Sequence, residues 1–475
     1  MLCRRFAENF PQMRDAEVPT RLERLGCPAV AVGRMQTQYC AIIDLMVNAL
    51  LTALRFTAGY NQSFRFAKRF FMSLLIRSAM AVICCIALLS TTTPSFASAK
   101  FRKWIAEFEN VAARNGVKRS VYRKAFKGIR SPDPEVLELA RFQPEFRQKL
   151  WMYFDTRVNE EGIARGLQEK QKWAPWLSRI EKKYGVDRDI LLGIWSMETG
   201  FGEALKKGSA TRSIVRSLAT LAYQDRRRRK FARSQLIAAM KIVQAGHVSV
   251  EGLQGSWAGA MGHTQFIPTS YRAYGQDMDG DGRKNIWTSV PDALATAAQL
   301  LRKNGWRTGE TWGYEVENAG RAYTQRNRSK SIGQWAKLGV RRVAGRKWRN
   351  TKQRAVLKFP AGKNGPAFLM TKNFFVIKRY NNSDKYALAV GHLADRFGGS
   401  GDFINPVPRP FPKLSFDQRV EVQQRLARMG LYKSDIDGKI GSGTRAAIRK
   451  AQIQMKLNPT GFVSPDFLRR LRRVS

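Results

Sequence analysis

The sequence predicts a mainly α-helical protein with a small β part and a separate three-helix bundle at its C-terminus. Three observations predict this. Apolar residues recur at helical spacing across most of residues 100–305. Short β-prone runs between Gly, Pro and Asn breaks follow over residues 312–378. Then Pro406, Pro408, Pro410 and Pro412 alternate with other residues, which gives an extended linker before residues 414–475.

The elements follow in order. Phe101–Ala113, Val158–Tyr184, Phe231–Ala245 and Asp292–Lys303 carry helical apolar spacing. Asp187 caps a further helix through Ile190, Leu191, Ile194 and Met197, which Gly200 and Gly202 stop. Trp312–Val316, Ala355–Phe359, Ala367–Thr371 and Phe374–Lys378 read as strands, and helical pattern returns at Lys385–Arg396. The last bundle comprises Phe416–Met429, Thr444–Met455 and Pro465–Arg472. Ser442 stands near the second start, and Ser464 with Pro465 begins the third.

Composition narrows the chemistry. All five cysteines (Cys3, Cys27, Cys40, Cys84 and Cys85) precede residue 86, so the remaining chain holds no disulfide framework and no thiolate metal site. Three histidines (His247, His263 and His392) disfavour a multi-histidine metal centre. A net charge of +46 draws the chain to polyanions. Residues 72–99 read as an export signal: Arg77 supplies charge, Ala79–Leu89 a short apolar run, and Ala97-Ser98-Ala99 a small-x-small cleavage site. Cleavage is expected after Ala99, giving a soluble, exported, periplasmic protein without a stable membrane anchor. Residues 1–71 are expected to be an upstream extension or a mis-assigned start, with translation from Met72. The signal turns the charge argument from nucleic acid toward anionic envelope polymers.

Glu198 is the most informative residue. It stands in the last turn of an apolar helix, where the helix dipole disfavours a second negative charge. Trp195, Met197 and Phe201 are placed to desolvate it. Both effects raise a carboxyl pKa, which suits a general acid for breaking a glycosidic bond. No second carboxylate is partnered with it in the sequence; Glu203 lies beyond the glycine break.

Three further blocks carry polar groups. In Ser256-Trp-Ala-Gly-Ala-Met-Gly-His-Thr-Gln265, small residues permit close backbone approach to a ligand. Asp277-Met-Asp279-Gly-Asp281-Gly282-Arg283 has acids at loop positions 1, 3 and 5, Gly at 6 and a backbone carbonyl at 7, as in an EF-hand calcium loop. Position 12 is Thr288 rather than glutamate, and Asp292 is placed to reach back. Tyr380-Asn381 through Tyr386 offers rings and amides for sugar stacking and hydrogen bonding.

In this order, the four blocks resemble the lytic murein transglycosylases of the membrane-bound B type over roughly residues 100–402. The resemblance implies a lysozyme-like α+β core. It also implies cleavage of the MurNAc–GlcNAc β-1,4 bond of peptidoglycan with a 1,6-anhydroMurNAc end, and no cofactor for the chemistry. It implies Glu198 as acid/base, with Ser256, Gln265, Tyr380, Asn381 and Tyr386 lining the groove. Arg227 and Arg228 would face peptide-stem carboxylates. Asp277, Asp279, Asp281, the Arg283 carbonyl and Asp292 would hold structural Ca2+. Leu300 departs from the tyrosine common in that family. Residues 414–475 resemble a three-helix peptidoglycan-binding module, through Val422-Gln423-x-x-Leu426, Gly430-Leu-Tyr432, Asp435-Ile-Asp437-Gly438, Gly441-x-x-Thr444 and Gly461. The expected partners are glycan strands and peptide stems, bound by a monomer. The rival readings are a hydrolytic muramidase and a non-catalytic wall-binding protein.

Overall fold

The computed structural model describes residues 93–141, 149–206, 211–317 and 319–475. The expected leader, with all five cysteines, lies outside them except for its last few residues, which begin the first helix. Among the described residues no helix is long and apolar enough to cross a membrane.

The helical layer opens with α1 Thr93–Arg114, α2 Arg119–Phe126, α3 Pro134–Arg141, α4 Leu150–Arg157, α5 Glu160–Lys172, α6 Ala174–Tyr184, α7 Arg188–Thr199 and the short α8 Glu203–Lys206. After the two-residue β1 Arg212–Ser213 come α9 Ile214–Gln224 and α10 Arg229–Gln244, then β2 Gln254–Gly255, α11 Pro268–Tyr274 and α12 Val290–Lys303. The expected single helix over Val158–Tyr184 is two helices. Trp173 ends the first, and Pro175, near the start of the second, has no N–H to continue the earlier ladder.

A five-stranded antiparallel sheet follows, in the order β4-β6-β7-β3-β5. Its strands are β3 Gly313–Glu317, β4 Ser329–Ser331, β5 Arg341–Arg342, β6 Arg354–Lys358 and β7 Ala367–Met370. The register pairs Gly313 with Met370 and Val356 with Met370. The sheet and α13 Ile332–Lys337 enclose their own core around Trp335, which is fully buried and donates from its indole N–H to the Ala355 carbonyl at 3.0 Å.

Phe374–Lys378, expected as a strand, lies inside α14 Lys372–Tyr380. Asn373 explains the difference. Its side-chain amide donates to the Arg307 and Glu310 carbonyls at 2.9 and 2.7 Å, fixing the first turn, while Phe374 and Ile377 bury together on one side. A five-residue apolar run is ambiguous between the two periods, and tertiary contacts decide it.

Next comes α15 Asp384–Phe397, capped by Ser383 and packed against α7 at the centre of the main core. The approach is close because α7 has Gly193 at the crossing: a Cβ there would sit 2.8 Å from the Val390 carbonyl oxygen. Larger residues would hold these helices apart.

The C-terminal bundle has a third core and comprises α16 Phe416–Arg428, α17 Ser442–Gln454 and α18 Pro465–Val474. The cap position of α17 is Gly441, whereas Ser464 caps α18 by accepting from the Phe467 N–H at 3.0 Å. The proline-rich stretch is tied down. Glu315 accepts from the Ile404 and Asn405 N–H groups, and Arg409 binds Asp155 through both oxygens at 2.8 and 2.9 Å.

Candidate active site

Glu198 occupies the last turn of α7. Asp187 starts this helix by accepting from the Asp189 N–H at 2.7 Å, and Gly200, at φ +57°, ends it in the left-handed conformation. All but one of the residues from Ile190 to Met197 are buried, so the helix is a rigid core element that presents a half-buried carboxylate at its tip.

The Tyr386 hydroxyl, from α15, donates to Glu198 Oε1 at 2.6 Å. The Tyr380 ring lies parallel to that of Tyr386 with centroids 6.4 Å apart, and its hydroxyl donates to the Thr264 carbonyl. Burial first, and then the Glu198 charge, push both phenols well above the ordinary tyrosine range. Both therefore remain proton donors throughout any working pH. The Glu203 carboxylate, beyond the glycine break, faces Arg165 at 2.7 Å.

The 256–266 segment is stitched to α7. Trp195 donates from its indole N–H to His263 Nδ1 at 3.1 Å, and the Thr199 hydroxyl donates to the His263 carbonyl at 2.6 Å. Ser256 closes the turn by accepting from the Ala260 N–H at 3.0 Å. Gln265 stands at φ +49° with its amide on the Gly262 carbonyl at 2.9 Å. Ser256 and Gln265 are half-exposed, which leaves them accessible to a ligand. Thus Glu198, Tyr386, Tyr380 and the 263–265 turn form one connected group.

The other expected site residues fall around it. Arg228 pairs with Asp225 at 2.6 Å and lies over the Trp257 ring, one residue from Ser256. Arg227 and Asn381 are exposed. Leu300 is buried in the core. Thr199, in the last turn of the Glu198 helix, and His263 and Thr264, inside the 256–265 block, join the site although the sequence does not single them out.

His263 accepts the indole proton at Nδ1, which requires that nitrogen to be unprotonated, and burial, then Lys206, pushes its pKa down to about 4. His392, stacked on Phe403 with centroids 3.9 Å apart, is likewise pushed down to about 4 by burial. In the unfolded chain both titrate near the ordinary histidine value of about 6.5. Below that pH the unfolded state takes up protons that the folded state refuses until about pH 4. Their contribution to stability is therefore fully present above about pH 6.5. It is lost progressively as pH falls toward 4. Together they cost the acid side on the order of a few kcal/mol. Urea midpoints measured from pH 7.5 to pH 4.5 should fall steadily; a flat profile would refute this assignment.

The acidic loop lies behind the turn. Oxygens of Asp277, Asp279 and Asp292 gather within 4.8 Å of one another. Asp292 is buried and accepts from the Met278, Asp279 and Asn285 N–H groups. Burial and the Asp279 charge raise its pKa against the pull of those donors. Asp281 is not in the gathered group; its carboxylate is exposed and accepts from the Arg283 N–H at 2.7 Å. Thr288 bonds Asn285, so loop position 12 is occupied by a local contact. Among the described residues no Lys or Arg pairs with the three gathered acids, a donor set that fits a divalent, oxygen-loving cation. The loop reaches the site through Ile286, whose carbonyl accepts from the His263 N–H at 2.9 Å.

Comparison with known proteins gives the family. A family profile described as a transglycosylase SLT domain matches residues 100–395, and a peptidoglycan binding domain profile matches residues 417–471. Membrane-bound lytic murein transglycosylase B of Escherichia coli (strain K12) is 30% identical over 245 residues, which is 51% of this chain and 66% of that protein, just under two thirds. The crystal structure of SltB3 from Pseudomonas aeruginosa in complex with NAG-NAM-pentapeptide is 41% identical, covers 78% of this chain and 99% of that one, and superposes with a TM-score of 0.62. The Escherichia coli lytic transglycosylase Slt35 in complex with calcium is 25% identical over 63% of this chain and 92% of that one, with a TM-score of 0.53. The helical core and its small sheet thus place the chain in the class of lytic transglycosylases. It belongs to the transglycosylase SLT domain family.

Proposed function

We propose that the protein cleaves the MurNAc–GlcNAc β-1,4 bond of peptidoglycan and leaves a 1,6-anhydroMurNAc end, acting on the wall outside the cytoplasm. The observation that carries this reading is the Glu198 carboxylate at the tip of a buried helix, with a phenol as its hydrogen-bond donor. Hydrolytic glycosidases ordinarily need two carboxylates, one of them to activate water or attack the sugar. A lytic reaction needs one.

Tyr386 donates to Oε1 and so orients the Glu198 carboxyl. Neutral Glu198 gives its proton to the leaving glycosidic oxygen. The substrate N-acetyl group supports the positive anomeric carbon. The carboxylate, now stabilised by the Tyr386 hydroxyl, takes a proton from the sugar's own 6-hydroxyl as that oxygen attacks C1. The C1–O bond to the leaving sugar breaks, an intramolecular C1–O6 bond forms, and water is not consumed. Ser256, Gln265, Tyr380 and Asn381 line the groove, and Arg227 and Arg228 meet stem carboxylates on its flank. Mass spectra of the products test this. An end lighter than a reducing end by one water supports the lytic route; free reducing ends alone would identify hydrolysis.

We further propose a structural calcium ion held by Asp277, Asp279 and Asp292, with the Arg283 carbonyl completing the set. The donor set supports this, and the ion's chemistry is to neutralise the gathered acids. At a hundredfold excess over its Kd, calcium should stabilise the fold by about 2.7 kcal/mol. The expected result is a higher Tm in calcium than in chelator, with magnesium less effective because it demands a tighter octahedral site. Identical melting curves in calcium and chelator would count against it.

A further inference from the structure

A concavity of about 560 Å³ opens where the end of α2 meets β1 and the residues leading into β2. That size is in the range of small-ligand sites. Lys124, Lys127, Glu251 and Gln254 give it polar groups, and Ile129 and Val250 an apolar wall. Both lysines are exposed, and among the described residues neither makes an ion pair. Glu251 is exposed too. Its own N–H, then the Ser249 hydroxyl, and more weakly Lys124, hold its carboxyl below the ordinary range. The concavity therefore carries both signs of charge near neutral pH.

Strand β2 ties this concavity to the groove. Gly255 points into the protein: a Cβ there would overlap the Ala260 carbonyl oxygen and lie 2.6 Å from Ile214 Cδ1. Alternate residues of an extended strand share a face, so Gln254 and Ser256 turn outward together. Two residues of extended chain span about 7 Å, which sets the concavity a short step from the groove at Ser256. The strand is fixed in place. Gln254 stands opposite Ser213 in the ladder to β1, and its carbonyl accepts from the Trp287 indole N–H at 2.9 Å.

We propose that this concavity is a second peptide-stem station, where Lys124 and Lys127 take the carboxylate and Glu251 the free amine of a diamino acid in a stem of the bound strand. This rests on the function proposed above and deepens it. Peptidoglycan carries a stem on every second sugar, so a strand whose one stem meets Arg227 and Arg228 presents another further along. A site with both signs of charge selects a group with both. An uncrosslinked stem has such a group, and a crosslink through the amine removes the ammonium. The enzyme should therefore favour uncrosslinked strands.

The test uses the full chain carrying Glu198→Gln and measures binding to three probes: strands with uncrosslinked stems, the same strands with their stem amines acetylated, and strands stripped of stems by an amidase. Lys124→Gln with Lys127→Gln should weaken binding to the first by about fivefold, as exposed charge pairs allow, and leave binding to stripped strands unchanged. Glu251→Gln should weaken binding to the first by about threefold and to acetylated strands not at all. Lys347→Gln with Lys352→Gln removes the same charge from exposed positions in the β part and should spare the preference for stems. All four lysines are exposed, so these variants should fold. No loss in the first pair, an equal loss in the control pair, or a Glu251→Gln effect that is absent or survives acetylation overturns the proposal. Failure of the lytic reading shows elsewhere, as absence of anhydro ends from the wild-type chain, and leaves these binding ratios readable.

Discussion

Glu198→Gln should fold normally, bind sacculi and release almost nothing. The amide keeps the size of the carboxylate and still accepts from the Tyr386 hydroxyl through its oxygen. It has no acidic proton to give and cannot take one back. A positioned general acid/base is worth about 10²–10⁴ in rate, and the lytic route uses this one group twice. Turbidity loss of purified sacculi, followed by product mass spectrometry, gives the measurement. Wild-type release of anhydro ends by the variant would end the assignment, and loss of sacculus binding along with turnover would show that the change had damaged more than proton transfer.

Gly262→Ala should be the most damaging small substitution in the site. Gly262 is buried at φ +66°, a conformation that L side chains rarely adopt. A Cβ there would lie 2.3 Å from the Ile286 carbonyl oxygen, the same oxygen that accepts from the His263 N–H. The two nearest atoms are Ile286 backbone, so no rotamer change relieves the clash. The expected cost is about 2–4 kcal/mol, the range for overpacking combined with backbone strain. Activity should fall further than stability, because the displaced turn carries the His263 and Thr264 carbonyls that hold Thr199 and Tyr380. Denaturant titration beside the sacculus assay checks both; a variant with native stability would show that the Ile286 turn yields more readily than its packing suggests.

Much of this was legible in the sequence because the signals are local. The cap at Asp187, the stop at Gly200 and the apolar face between them fix α7 without reference to anything distant. The acid spacing of the loop and the proline alternation before the bundle are local too. What sequence reading missed is tertiary. Phe374–Lys378 became helix because Asn373 anchors to carbonyls more than sixty residues earlier. Asp281 was matched by spacing alone, yet the peptide turns it outward toward the Arg283 N–H. Tyr386 was expected in the groove, but spacing gave no hint that its hydroxyl would bind the Glu198 carboxylate. Thr199 and His263 passed unnoticed because their contacts join separate segments.

The bond between Glu198 and Tyr386 joins positions 188 residues apart. A truncated or half-synthesised chain ending before α15 therefore contains the acid but neither its phenol nor the helix that buries the back of α7. On the mechanism proposed above, cutting ability should arrive only when the late helix docks, and proteolytic loss of residues beyond about 380 should silence the enzyme without touching the acid itself.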